Sequence, residues 1–134
     1  MAIQMSIAVR NARLDQVEAI VGTAAKLLIY DLTAGAPSDC AASIVATTLA
    51  TMTLPTDWMN PAANGIKTLL GSWSTTATGA GTADFFRLMA SDGVTCGMQG
   101  TVGLVGTDMI LDNTNVAVGQ TINVITFALT DANA

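Results

Sequence analysis

From residue 26 onward this chain never sustains a helical period. Short β-compatible runs alternate instead with clusters of Gly, Pro, Ser, Asp and Asn, a turn signal recurring about every 8 to 12 residues. The runs cover Lys26–Leu32, 44–54, 66–74, 84–90, 94–102, Met109–Leu111 and 120–130. About seven short strands, with no strand–helix–strand alternation, predict a mainly β protein: an antiparallel β-sandwich or open barrel.

Only the opening segment departs from this grammar. Ser6 is placed to cap a helix over residues 6–21, with Ile7, Leu14, Val17 and Val21 on one stripe at 3.6-residue spacing. Arg10, Asn11, Arg13, Asp15, Gln16 and Glu18 fill much of the remaining circumference, and Gly22 is placed to end the helix in the left-handed conformation. Neither repeat nor linker interrupts residues 1–134, which are expected to form a single domain, with the β-rich body over 26–131.

Local signals refine the body. Residues 55–65 hold two prolines with Trp58 between them, a loop whose indole is expected to plug one end of the core. Asp92-Gly93 between two β-compatible runs reads as a hairpin turn in which both positions tolerate positive φ. Alternation slips near Ile125, where a bulge is expected. Gly100, Gly103 and Gly106 are followed by no Lys-Ser/Thr pair and no helix, so they read as turns between strands and not as a phosphate loop. Only Lys26 and Lys67 are available to blunt exposed sheet edges.

Charge narrows the function classes. Five basic and ten acidic residues give a net charge of −5, and histidine is absent. The usual general base, metal ligand and proton shuttle is therefore missing, and neither enzyme nor cofactor chemistry is expected. Five scattered cations cannot neutralise a run of phosphates, which argues against nucleic-acid binding. Disorder is excluded because its signature is high charge with low hydrophobicity, the reverse of this chain. Uncharged stretches such as 41–56 and 68–83 are interleaved with Thr, Ser and Gly, so no membrane span is expected. The first residues lack a basic region followed by an apolar block, so synthesis in a cytoplasm is the expectation. A domain that floats alone usually carries about a quarter to a third of its surface as charge; at 11% charged residues, this surface is expected to face other protein.

Few residues could carry chemistry. Cys40 and Cys96 have neither metal-ligand spacing nor a histidine to join them, which leaves two readings, buried small hydrophobes or a disulfide. Asp108, Asp112, Asn113 and Asn115 form an oxygen-rich patch without the terminal Glu and spacing of a calcium loop, and read as turn residues. Asp84 and Phe86 should share one strand face and Phe85 and Arg87 the other, with the charges either bridging an interface or lying solvated beside a buried ring. Trp58 and Trp73 could serve as sugar-stacking platforms or as apolar plugs.

Several stretches together carry a family likeness: Arg10-Asn11-Ala12-Arg13-Leu14-Asp15, Leu54-Pro55-Thr56-Asp57-Trp58-Met59 and Thr95-Cys96-Gly97-Met98-Gln99-Gly100-Thr101-Val102. Leu111-Asp112-Asn113-Thr114, Gly119-Gln120 and Leu129-Thr130-Asp131-Ala132-Asn133-Ala134 complete the set. The chain resembles, nearly end to end, a family of small structural proteins of tailed bacteriophages and prophages. That resemblance implies a place in the virion and carries no catalytic or cofactor residues. The expected role is a capsid decoration or cement subunit, bound to the major capsid protein and to sister subunits, with a homotrimer suggested by common capsid symmetry. A tail, neck or collar component is the alternative within the particle; a host-surface glycan-binding module using Trp58 or Trp73 is the alternative outside it. The expected docking elements are the helix, through Arg10, Arg13, Asp15 and Glu18, and the hairpin bearing Asp84, Phe85, Phe86 and Arg87, with Trp58 beside them.

Overall fold

A computed structural model describes residues 2–132. Helix α1 (Ile7–Val21) precedes ten strands: β1 (Lys26–Leu32), β2 (Ala46–Thr53), β3 (Ile66–Thr68), β4 (Ser74–Thr76), β5 (Gly81–Thr82), β6 (Phe85–Met89), β7 (Cys96–Gly103), β8 (Met109–Leu111), β9 (Asn115–Val116) and β10 (Thr121–Thr130). Eight of them form one sheet in the order β2-β1-β6-β7-β8-β10-β3, with β4 added to β10, while β5 and β9 pair separately. The fold is β-sandwich-like and does not close into a barrel. All pairings are antiparallel except β7 with β8, which run parallel through Val102↔Met109 and Gly103↔Ile110.

One continuous core joins the two halves of this curled sheet. Leu27, Ile29, Leu49, Met52, Phe86 and Leu88 from β1, β2 and β6 pack with Met109, Leu111, Ile122, Val124 and Phe127 from β8 and β10. Phe86 meets Phe127 edge-on at 5.7 Å between ring centres, and Trp73 lies 5.6 Å from Phe127 and 6.0 Å from Trp58. Tilted and edge-on contacts of this kind add about 0.5–1.5 kcal/mol each beyond the apolar area they bury.

Several local expectations hold. Ser6 Oγ accepts from Val9 N at 3.3 Å, capping α1, and the register of β10 slips between Val124 and Thr126, leaving Ile125 as the extra residue. Gly22 follows the helix at φ 94° and ψ 179°, a positive-φ conformation that suits glycine but is extended in ψ, not left-handed helical.

Others are corrected. The run 66–74 is two strands, β3 and β4, because the chain turns at Gly71 (φ 78°) between them. The Asp92-Gly93 turn spans six residues, and only Gly93 has positive φ. Asp92 acts instead as an acceptor, taking Val94 N, Thr95 N and the Thr95 hydroxyl at 2.7–2.9 Å. Gly100 and Gly103 lie inside β7, not in turns; a Cβ on Gly100 would sit 2.9 Å from the Phe86 ring and 2.8 Å from the Asp108 carboxylate. Gly106 does stand in a turn, at φ 71°. Neither lysine blunts an edge: β1, which carries Lys26, is an inner strand, and Lys67 is buried.

Candidate functional sites: two buried cations and their partners

Helix α1 packs in a way its sequence pattern conceals. Leu14 is buried and Val17 and Val21 rest against the core, but Ile7, Val9 and Ile20 are exposed. Much of the polar side, expected to be solvated or to dock, turns inward. Asp15 and Glu18 reach Lys67 Nζ at 2.8 and 3.2 Å. Glu18 Oε1 also accepts Trp58 N and Met59 N at 3.0 and 3.1 Å, and Asp15 Oδ1 accepts Ala62 N at 2.9 Å. Arg10 donates to the Asp131 carbonyl at 3.0 Å, and Arg13 pairs with the Asp131 carboxylate at 3.3 Å. The carboxylates thereby supply acceptors to loop amides that have no strand partner.

Lys67 is the first buried cation, its side chain 3% exposed. Burial alone would lower its pKa; hydrogen bonds to Asp15 and Glu18 outweigh that and raise it. The Lys67 hydrogen bond holds the Asp15 carboxyl below its ordinary range, assisted by Ala62 N. Burial raises Glu18, but bonds from Asp57, Met59, Lys67 and Trp58 bring it net downward, while Asp57 is pushed up by its bond to the Glu18 carboxyl. Asp15, Glu18, Asp57 and Lys67 line an open cleft of about 560 Å³ with Met59 and Pro61. The ammonium of Lys67 occupies the point where Asp15 and Glu18 converge, the position a bound cation would need.

Arg87 is the second buried cation, 6% exposed on β6. Its partners are neutral. Nη2 donates to the carbonyls of Asp39 and Ala42 at 3.1 and 2.7 Å, and Nε donates to Gln99 Oε1 at 3.1 Å. Gln99 Nε2 then donates to the Pro37 carbonyl at 3.1 Å. The Asp39 carboxylate closes the loop's own turn by accepting Ala41 N and Ala42 N. Cys40, in the same loop, is joined to Cys96 at the start of β7 by a disulfide, which decides between the two readings of the cysteines. The loop between β1 and β2 is thus held on the outer face of β6 and β7. Tyr30 shares that face, its phenol raised by burial.

The expected hairpin surface is therefore not a surface. Phe85, Phe86 and Arg87 are all buried, because the loop covers one side of β6 and the core the other, and Asp84 accepts Leu32 N at 3.0 Å. Trp58 and Trp73 are 0% and 1% exposed, and their indole N–H groups donate to Gly22 and Leu70 carbonyls, so neither ring can stack on a sugar. Of the expected docking residues, Arg13 keeps the most outward side chain, 56% exposed. The oxygen-rich patch resolves into turn contacts: Asp108 accepts Thr101 N, Asp112 accepts Asn123 N, and Asn113 accepts Asn115 N.

Sequence reasoning missed the outward apolar residues. Ile3, Ile20, Val94, Val105 and Val118 are each at least two-thirds exposed. The signal for Val94, Val105 and Val118 was their position in or beside turns; for Ile3 and Ile20 the sequence offered none.

Fold and sites together define a β-sandwich-like domain with an N-terminal helix, braced by two buried cations and a disulfide. Compared with protein-family models, curated proteins and solved structures, the chain matches none.

Proposed function

We propose that this chain is a structural protein of a bacteriophage virion, a decoration or cement subunit of the head that binds the major capsid protein and its own copies. One observation carries the reading: all fifteen charged residues are engaged within the fold. Ten acidic and five basic side chains each hydrogen-bond or ion-pair to another part of the chain. Six of them, Arg13 and five aspartates, still reach the surface, but each already has a partner within the chain, and Ile3, Ile20, Val94, Val105 and Val118 stand outward among them, which favours burial against protein over free solution. The likeness to small phage structural proteins supports the same reading. Many modest contacts of this kind sum through symmetry and avidity.

The reading is tested on particles purified from the host that encodes the chain. Quantitative mass spectrometry is expected to find it at hundreds of copies per particle, and particles lacking it are expected to lose heat resistance. Tens of copies would move it to the tail, neck or collar. Absence from every particle fraction would overturn the proposal.

A further inference from the structure

The loop between β1 and β2 is held by two independent means, and they differ in what they require. The disulfide from Cys40 to Cys96 requires an oxidant. The bonds of Arg87 and Gln99 to the carbonyls of Pro37, Asp39 and Ala42 require only a folded β6–β7 hairpin. Two of those carbonyls flank Cys40 in sequence, one on each side. On the receiving side, Arg87 pairs with Gln99 across the hairpin and Met89 pairs with Cys96. Arg87 is thus two residues along β6 from the partner of Cys96, and the carbonyls it grips place Cys40 over that end of the hairpin. Docking the loop covers the Arg87 guanidinium and supplies two of its hydrogen bonds, from Nη2 to the carbonyls of Asp39 and Ala42, whether or not the cysteines are joined.

We propose that the Cys40–Cys96 bond is a lock closed after folding, and that Arg87 is the positioning residue that brings the two thiols together. The chain folds reduced, with the loop already seated. Oxidation then removes the loop's route off the sheet. With glutathione disulfide as oxidant, one cysteine thiolate attacks the oxidant and releases one glutathione thiolate. The second protein thiolate attacks the mixed disulfide at the protein sulfur and releases the other. Two protein thiols and one glutathione disulfide become one protein disulfide and two glutathione thiols. This device does not depend on the virion reading, although it suits a protein that passes from a reducing cytoplasm to an oxidising medium.

The test uses the full chain. Hydrogen exchange on the reduced protein is expected to leave the amides of Ala41 and Ala42 protected at least tenfold over an unstructured peptide. In glutathione buffers, the effective concentration of the two thiols is expected to fall at least tenfold in Arg87→Met, and less in Gln99→Ala. Far-UV circular dichroism of the reduced variants checks that each is folded. Should Arg87→Met fail to fold, Arg87→Lys replaces it: it keeps the charge, loses the fork that joins Gln99 through Nε to the loop carbonyls through Nη2, and is expected to show the same fall. A reduced loop that exchanges like free peptide, or variants that oxidise with the wild-type equilibrium, would overturn the proposal.

Discussion

Lys67 and Arg87 are both cations sealed inside a chain that has only five, yet they are neutralised in opposite ways. Lys67 is met by two carboxylates from α1, charge against charge, at 2.8 and 3.2 Å. Arg87 is met by two backbone carbonyls and an amide oxygen, none of them ionised, with a covalent bond fixing the same loop. The chemistry of each side chain explains the division. A compact ammonium focuses its charge on nearby carboxylates, whereas the planar guanidinium spreads its donors, Nη2 to the two loop carbonyls and Nε to the Gln99 amide. The helix brace should therefore respond to pH and to loss of charge, and the loop brace to reductant.

The largest expected break is chemical. Reducing Cys40–Cys96 reopens a chain segment of 56 residues in the unfolded state, which the loop-entropy treatment values at about 4 kcal/mol. Urea unfolding of the Cys40→Ser/Cys96→Ser variant is expected to show that loss, equally at pH 7 and pH 4. An undiminished stability would mean that the unfolded chain is already confined.

Next in size is Lys67→Met. Removing one partner of a buried ion pair costs about 3–5 kcal/mol, and the lower end applies here because the Asp15 side chain is 45% exposed and screened by water. Urea midpoints at pH 7 are expected to drop accordingly. Unlike the disulfide loss, this one should shrink as pH falls through the lowered pKa values of Asp15 and Glu18, because neutral carboxyls no longer need a counter-charge. A loss independent of pH would assign Lys67 a packing role only.

Much of the fold was legible and much of the site was not, for one physical reason. Strand existence follows from turn chemistry and β-branched runs, so the mainly β architecture, the cap at Ser6 and the bulge at Ile125 could be read locally. The direction in which a polar side chain points is set by remote partners. Nothing near Asp15 or Glu18 in sequence reveals that the amides of Trp58, Met59 and Ala62 await acceptors forty or more residues away. Arg87 likewise sits in an apolar run, and only the loop at 37–42 makes it buried instead of solvated. Residues of this helix with an ordinary amphipathic spacing are therefore inverted: Ile20 faces out while Glu18 faces in. The disulfide was an open alternative because two cysteines in sequence say nothing of their separation in space.

Titration of the helix brace separates the two regions further. Asp15 and Glu18 are both held below their ordinary range in the folded chain. A depressed carboxyl contributes stability that is complete above its unfolded pKa and is lost as pH falls through the folded one. Acid is therefore expected to weaken the wild-type from about pH 5 downward, and Lys67→Met far less over the same window. Lys67, raised by its partners, contributes stability below its unfolded pKa and loses it as pH rises through the folded one, so a second decline is expected in strong alkali. The loop brace has no counterpart: its acceptors are carbonyls and an amide, which do not titrate.

The smallest effect has the opposite sign. Asp57 leans on the Glu18 carboxyl and is raised by it, so its ionisation sets two negative charges side by side at the cleft mouth. A raised carboxyl opposes folding once pH exceeds its unfolded value, and the opposition is complete above the folded one. Asp57→Asn keeps a hydrogen-bond donor for Glu18 and removes the second charge. A small rise in the urea midpoint is expected at pH 7, with no difference from wild-type at pH 3, where Asp57 is already protonated. Added salt should narrow the pH 7 gap, because this carboxyl is open to water and its repulsion is screened. A variant less stable than wild-type at pH 7 would show that the Asp57 charge is answered by Lys67 more strongly than it is opposed by Glu18.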